Sequence, residues 1–176
     1  MNDLAQLAKL IRRRNQTEIH ITNLIGRPAQ IGHIGEFIAS KVFNLGLQES
    51  ASYKGIDGYF TSGNLANRSV NIKWYAKLER MLDININALP DYYLVLAGPL
   101  STKMNSRGET RPWLIDGVFL FEAKELVEQL LSRKAKLGIA TSISKTYWVQ
   151  AEIYPHQTSA LLVLTEEQQK QLSLFR

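Results

Sequence analysis

Lys54-Gly-Ile-Asp-Gly-Tyr-Phe60 and Val70-Asn-Ile-Lys-Trp-Tyr75 decide the reading of this chain. Gly55–Phe60 and Val70–Tyr75 are strand-like, and the Thr, Ser, Gly and Asn of Thr61–Ser69 suit a hairpin connection between them. A strand alternates its side chains, so Asn71, Lys73 and Tyr75 share one face and Val70, Ile72 and Trp74 the other. Asp57 and Tyr59 share a face of the first strand. If the two strands pair, Asp57 and Lys73 meet on one face of the sheet.

Upstream, Pro28 can start a helix running to about Phe43, with Ile31, Ile34, Ile38, Val42 and Leu45 as its apolar stripe. Glu36 lies off that stripe, yet its helical neighbours Gly32, Ala39 and Phe43 are not those of a fully wet face. Gly32 and Gly35 each cost such a helix about 1 kcal/mol relative to alanine, so another element is expected to approach closely there. Before it, Leu4, Leu7, Leu10 and Ile11 mark a first helix that Asn2 or Asp3 can cap and that ends in Arg12-Arg13-Arg14. That arginine run is a solvated helix end or a phosphate contact.

Downstream, the unbroken apolar run Tyr92–Ala97 reads as a central strand covered on both sides. Trp113–Phe121 is a strand interrupted by Asp116-Gly117. A helix from Ala123 to about Lys136 follows, with Gly138 placed to end it. Thr146–Tyr154 and Ala160–Leu164 read as strands, and Thr165-Glu-Glu-Gln is a capping box for a last helix to Phe175. The order α-α-β-β-β-β-α-β-β-α defines an α/β (α+β) fold. We expect one domain over 1–176 with a central mixed sheet flanked by helices. Residues 1–28 form a helical extension and 29–98 the polar-motif core.

Composition narrows the chemistry. The chain has 176 residues, 45% hydrophobic and 21% charged, as ordinary globular domains do. It has no cysteine, which excludes disulfides, thiolate metal sites and cysteine nucleophiles. With three histidines, zinc is a poor expectation. No Walker loop, Gly-x-Gly-x-x-Gly or Gly-x-Ser-x-Gly occurs. The net charge of +5 favours polyanionic partners. No apolar run is long enough to span a bilayer, and no signal-peptide pattern precedes Arg14, so a cytoplasmic setting is expected.

Polar groups on otherwise apolar elements carry what chemistry there is: Glu36 on the helix, Asp57 on one strand, Asn71 and Lys73 on the next. Hard cations such as Mg²⁺ take oxygen ligands and few protein carboxylates. A lysine beside them can orient water and stabilise charge developing on a phosphate. A helix carrying Ile-Gly-Glu, then Lys-Gly-Ile-Asp-Gly, then Asn-Ile-Lys-Trp resembles the core of the PD-(D/E)xK nuclease superfamily over about Gly32–Gly98. The resemblance is to a bacterial branch of that superfamily and implies a restriction-endonuclease-like α-β-β-β-α-β core. It implies that Asp57 is the anchoring metal ligand, Lys73 the catalytic lysine, Glu36 a helix carboxylate and the Ile72 carbonyl a further ligand to Mg²⁺ or Mn²⁺. The triplet departs from the pattern, because Asn71 stands where the superfamily carries an acid. Asparagine offers a neutral oxygen and no charge. The resemblance therefore implies a metal-dependent endonuclease acting on DNA. Its alternative is an inactive module on the same fold that binds nucleic acid or a protein.

Other patterns compete. Pro90-Asp91 followed by Glu122-Ala123-Lys124 matches the superfamily motif literally, but Glu122 suits a helix N-terminus and Pro90-Asp91 a turn. His33 is placed to support Glu36. Lys73, Lys77 and Arg80 with Trp74 and Tyr75 form a basic-aromatic cluster, flanked by Lys54 and Arg68. It reads equally as a phosphate-contacting surface or as a solvated face with Trp74 in the core. Lys103–Gly108 is a basic loop that could track DNA. The small size leaves sequence-specific recognition to a homodimer or a partner subunit.

Overall fold

Tyr92–Ala97 forms the middle of a six-stranded mixed sheet, and every residue in it is buried. The computed structural model describes residues 3–48, 55–100 and 111–176. Lys54 and the Lys103–Gly108 loop lie outside the described residues. The chain begins with α1 (Asp3–Ile25) and α2 (Ile31–Phe43), then β1 (Leu45–Leu47), β2 (Gly58–Phe60) and β3 (Ser69–Tyr75). A short β4 (Met81–Leu82) precedes β5 (Tyr92–Ala97) and β6 (Gly117–Glu122). The last part comprises α3 (Ala123–Ser132), β7 (Thr141–Ser142), α4 (Lys145–Ala151), β8 (Glu152–Tyr154) and α5 (Glu166–Ser173).

The large sheet runs β1-β2-β3-β5-β6-β8, with only β3 and β5 parallel among its pairs. β4 and β7 pair separately. The alternation expected of β3 divides the interior. Val70, Ile72 and Trp74 face α2 and α5 in one core with Ile38, Val42 and Leu172. Tyr93, Val95, Phe119 and Phe121 face α3 and α4 in a second core with Leu126, Leu130 and Trp148. The protein is thus a single α/β domain with helices on both faces of a mixed sheet.

Several expectations change. α1 does not stop at Arg12-Arg13-Arg14 but continues to Ile25, because arginine favours helix and nothing breaks the chain before Gly26, at φ +71, and Pro28. β2 starts at Gly58 and β6 at Gly117, and β1 was not foreseen. α3 ends at Ser132, short of Gly138. Thr146–Tyr154 is mostly the helix α4, although its Thr, Tyr, Trp and Val favour strand. Trp148 meets Phe119 and Phe121 edge-on, at 4.8 and 5.0 Å between ring centroids, and that packing outweighs local propensity. Ala160–Leu164 is no strand, since side-chain amides satisfy its backbone instead of a ladder. Asn64 donates to the Leu161 carbonyl, and Gln157 donates to Leu162 and accepts from Leu164. The Thr165–Gln168 capping box forms as expected and starts α5.

Of the two helix glycines, only Gly35 has the expected neighbour. A Cβ on it would stand 3.0 Å from the Trp74 Cβ, whereas nothing lies within 4 Å of one on Gly32. Gly35→Val is therefore expected to lever α2 off β3 and cost about 2 kcal/mol. Gly32→Ala should stabilise by about 1 kcal/mol. Urea unfolding of both variants checks the contrast, and equal effects would contradict the packing. Among the described residues, no helix is long and apolar enough to cross a membrane.

Candidate metal centre

β2 and β3 pair with Gly58 opposite Val70 and Tyr59 opposite Ser69, which sets Asp57 across from Asn71. The ladder ends there. The Asp57 N–H donates to the Val70 carbonyl at 2.9 Å. The next strand donor, Ile72 N–H, goes to the Asp57 carboxylate at 2.6 Å. The Ile72 carbonyl leaves β3 on the same edge as that N–H. Gly55, at φ +87, makes the approach possible, because a Cβ there would run into the Ala88 carbonyl.

Asp57, Asn71 and Lys73 line one cavity of about 340 Å³, with Asp83, Asn85 and Tyr93 around them. The Asn71 Oδ1 is buried and has no hydrogen-bond partner. An orphaned buried oxygen costs on the order of 1–3 kcal/mol, so a ligand or water is the ordinary explanation. Burial pushes the Asp57 carboxyl above its usual value and Glu36 adds to that, against the Ile72 N–H, Lys73 and Arg27. The cavity thus presents an incompletely compensated Asp57 carboxylate, a neutral oxygen and an ammonium, with Asp83 as a second carboxylate on its wall.

Glu36 does not join them. α2 packs on the Trp74 side of the sheet, whereas Asn71 and Lys73 point to the other side. Glu36 pairs with Arg27 and reaches Asp57 only as a charge. Glu36 thus stands near enough for its charge to act on Asp57 but is not among the residues that line the cavity. Among the described residues, no three His, Asp or Glu side chains gather as a metal cluster. The oxygens open to a cation here are the Asp57 carboxylate and Asn71 Oδ1 on the cavity wall, with the Ile72 carbonyl on the neighbouring strand edge. Mg²⁺ commonly uses one or two carboxylates and completes its shell with water and phosphate, so these residues fit it.

The basic residues scatter. Arg68 pairs with Asp91 at 3.3 Å beside the start of β3. Lys77 lines a second cavity with Tyr75, Asp83 and Trp113. Arg80 adopts a left-handed backbone, at φ +55. Trp74 is core, 7% exposed. His33 Nδ1 lies 3.0 Å from the Pro28 carbonyl at the start of α2, so it serves the helix and not Glu36. The literal motif dissolves too. Burial opposes the Asp91 charge, but the Ser69 N–H, the Ser69 hydroxyl and Arg68 outweigh it and hold the carboxyl below its usual value. Lys124 sits exposed on α3, 4.0 Å from Glu128.

Sequence reading missed Arg27, Asp83, Asn85 and Tyr93. Asp83 accepts from the Ala140 N–H at 2.7 Å. The alternation Leu82-Asp83-Ile84-Asn85 was the available signal. Compared with protein-family models and with curated proteins, the chain matches none.

A carboxyl whose folded pKa is raised holds its proton more tightly when folded. Ionised Asp57 therefore weakens the fold at pH values above its folded pKa, and the penalty disappears below its unfolded value near 3.8. Between the two, stability falls as pH rises. Asp57→Asn keeps an oxygen for Ile72 and removes the charge. Its Tm should exceed the wild-type value at pH 7, with the gap closing toward pH 3.8. A lower Tm at pH 7 would contradict this account.

Proposed function

We propose that the cavity between β3 and the β4–β7 pair binds a divalent cation and hydrolyses DNA phosphodiester bonds. The observation that carries this reading is the partnerless Asn71 Oδ1 beside the desolvated Asp57 and the Lys73 ammonium. Asp57, Asn71 and the Ile72 carbonyl would hold the ion. A Mg²⁺ or Mn²⁺ ion held there would polarise a phosphoryl oxygen and acidify water. Lys73 positions the attacking water and donates hydrogen bonds to negative charge growing on the phosphate. The water oxygen bonds to phosphorus, the bond to the leaving sugar oxygen breaks, and a proton ends on that oxygen. The net charge of +5 supports a polyanionic substrate.

Plasmid and duplex oligonucleotides incubated with Mg²⁺ or Mn²⁺ test the proposal. Cleavage that stops on chelation is expected. Uncut DNA with every divalent ion would overturn the reading. One observation favours a second reading, an inactive module that binds nucleic acid. Arg27 pairs with Glu36, so the helix carboxylate that the nuclease resemblance assigns to the metal is already neutralised. Salt-dependent DNA binding, unchanged by chelator and without cleavage, would support it.

A further inference from the structure

α1 is a 23-residue helix with no buried residue. Most helical stability in proteins comes from packing an amphipathic face, and an apolar stripe normally faces a core. Here Leu7 is 52% and Ile11 46% exposed. The stripe Leu4, Leu7, Ile11, Arg14, Glu18, Ile21, Ile25 alternates spacings of three and four residues, as a coiled-coil seam does. Its second half leads into an apolar groove of about 440 Å³ lined by Leu24, Ile25, Ile34, Phe37, Leu174 and Phe175.

The stripe is self-complementary in one direction only. Laid antiparallel on a second copy, Leu7 meets that copy's Ile25, Ile11 meets Ile21, and Arg14 meets Glu18. Reversal by the two-fold axis repeats every pair, so apolar layers flank two reciprocal ion pairs. A parallel arrangement would set Arg14 against Arg14 and Glu18 against Glu18. Within one chain Arg14 and Glu18 pair at 2.5 Å on an exposed surface, where such a bond contributes little. We propose that the protein forms a two-fold dimer through antiparallel α1 helices, each placing Leu4 and Leu7 in the other copy's groove. A helix of this length is about 35 Å long, and with the groove each chain buries on the order of 700 Å², close to the ~800 Å² of a standard interface. An unrelated partner would require no such palindrome.

Sedimentation equilibrium at concentrations on the order of 10 µM tests the proposal. Wild-type protein should show twice the 20.0 kDa chain mass. Leu7→Asp with Ile11→Asp should give the one-chain mass with an unchanged circular-dichroism spectrum, since both positions are exposed. Arg14→Glu alone and Glu18→Arg alone should each be monomeric, because like charges then face each other. Mixed in equal amounts, these two should restore the two-chain mass. The mixture repairs only the contacts between chains and not the pair within each, so it separates association from helix stability. A monomeric wild type, a dimer that survives the apolar substitutions, or single charge variants that stay monomeric when mixed would each overturn the proposal.

Discussion

Lys73→Ala is expected to lower metal-dependent DNA cleavage by roughly 10²–10⁴-fold, the range for removing a group that moves protons or stabilises developing charge. The ammonium lines the same cavity as Asp57 and Asn71. On the proposed mechanism its loss removes the donor for the attacking water and the phosphate. It also removes one of the charges that hold the Asp57 carboxyl down, so that carboxyl rises further. Metal binding needs the carboxylate, so the acid side of the pH–rate profile should move to higher pH in the variant. Lys73 is half-buried on β3 rather than in a core, and the fold should survive. Lys73→Arg keeps the charge but replaces a compact ammonium by a planar fork, and should recover only part of the rate. Equal cleavage by wild type and Lys73→Ala would assign the activity to a contaminant or another site.

Asn71→Asp should act in the opposite direction and be nearly as large. Asn71 supplies an oxygen without charge, and its Oδ1 has no other partner. A carboxylate there adds Coulomb attraction for a divalent cation in a site shielded from solvent. Mg²⁺ affinity should rise at least about tenfold, and cleavage at limiting Mg²⁺ should rise with it. Without metal the same change sets two carboxylates side by side, so the apo protein should be less stable at neutral pH. The variant should therefore show a lower apo Tm and a larger Mg²⁺-induced rise, since saturating a site to about 100 times its Kd adds about 2.7 kcal/mol. An unchanged response of Tm to Mg²⁺ would separate Asn71 from the ion.

How far the sequence could carry these conclusions depended on the element. Tyr92–Ala97 announced a covered central strand because burial on both faces leaves no polar alternation, and it is that strand. The alternation of Val70–Tyr75 sorted Asn71 and Lys73 from Ile72 and Trp74 correctly, because strand geometry allows no other division. The place of Glu36 was less legible for a related reason. Helical neighbours report which residues surround it on α2, not which face of the sheet α2 covers. The helix at Lys145–Ala151 was illegible, since the slot between Phe119 and Phe121 that Trp148 fills is built from distant residues. Asp83 escaped notice because a four-residue alternation was the whole signal and β4 itself is only two residues long.

Anomalous scattering from a crystal soaked in Mn²⁺ shows whether the cavity holds the ion. The account predicts a peak against the Asp57 carboxylate, with Asn71 Oδ1 and the Ile72 carbonyl on its other sides, and no such peak in Asp57→Ala. A Mn²⁺-soaked crystal with that cavity empty, or with its peak held by other residues, would contradict it.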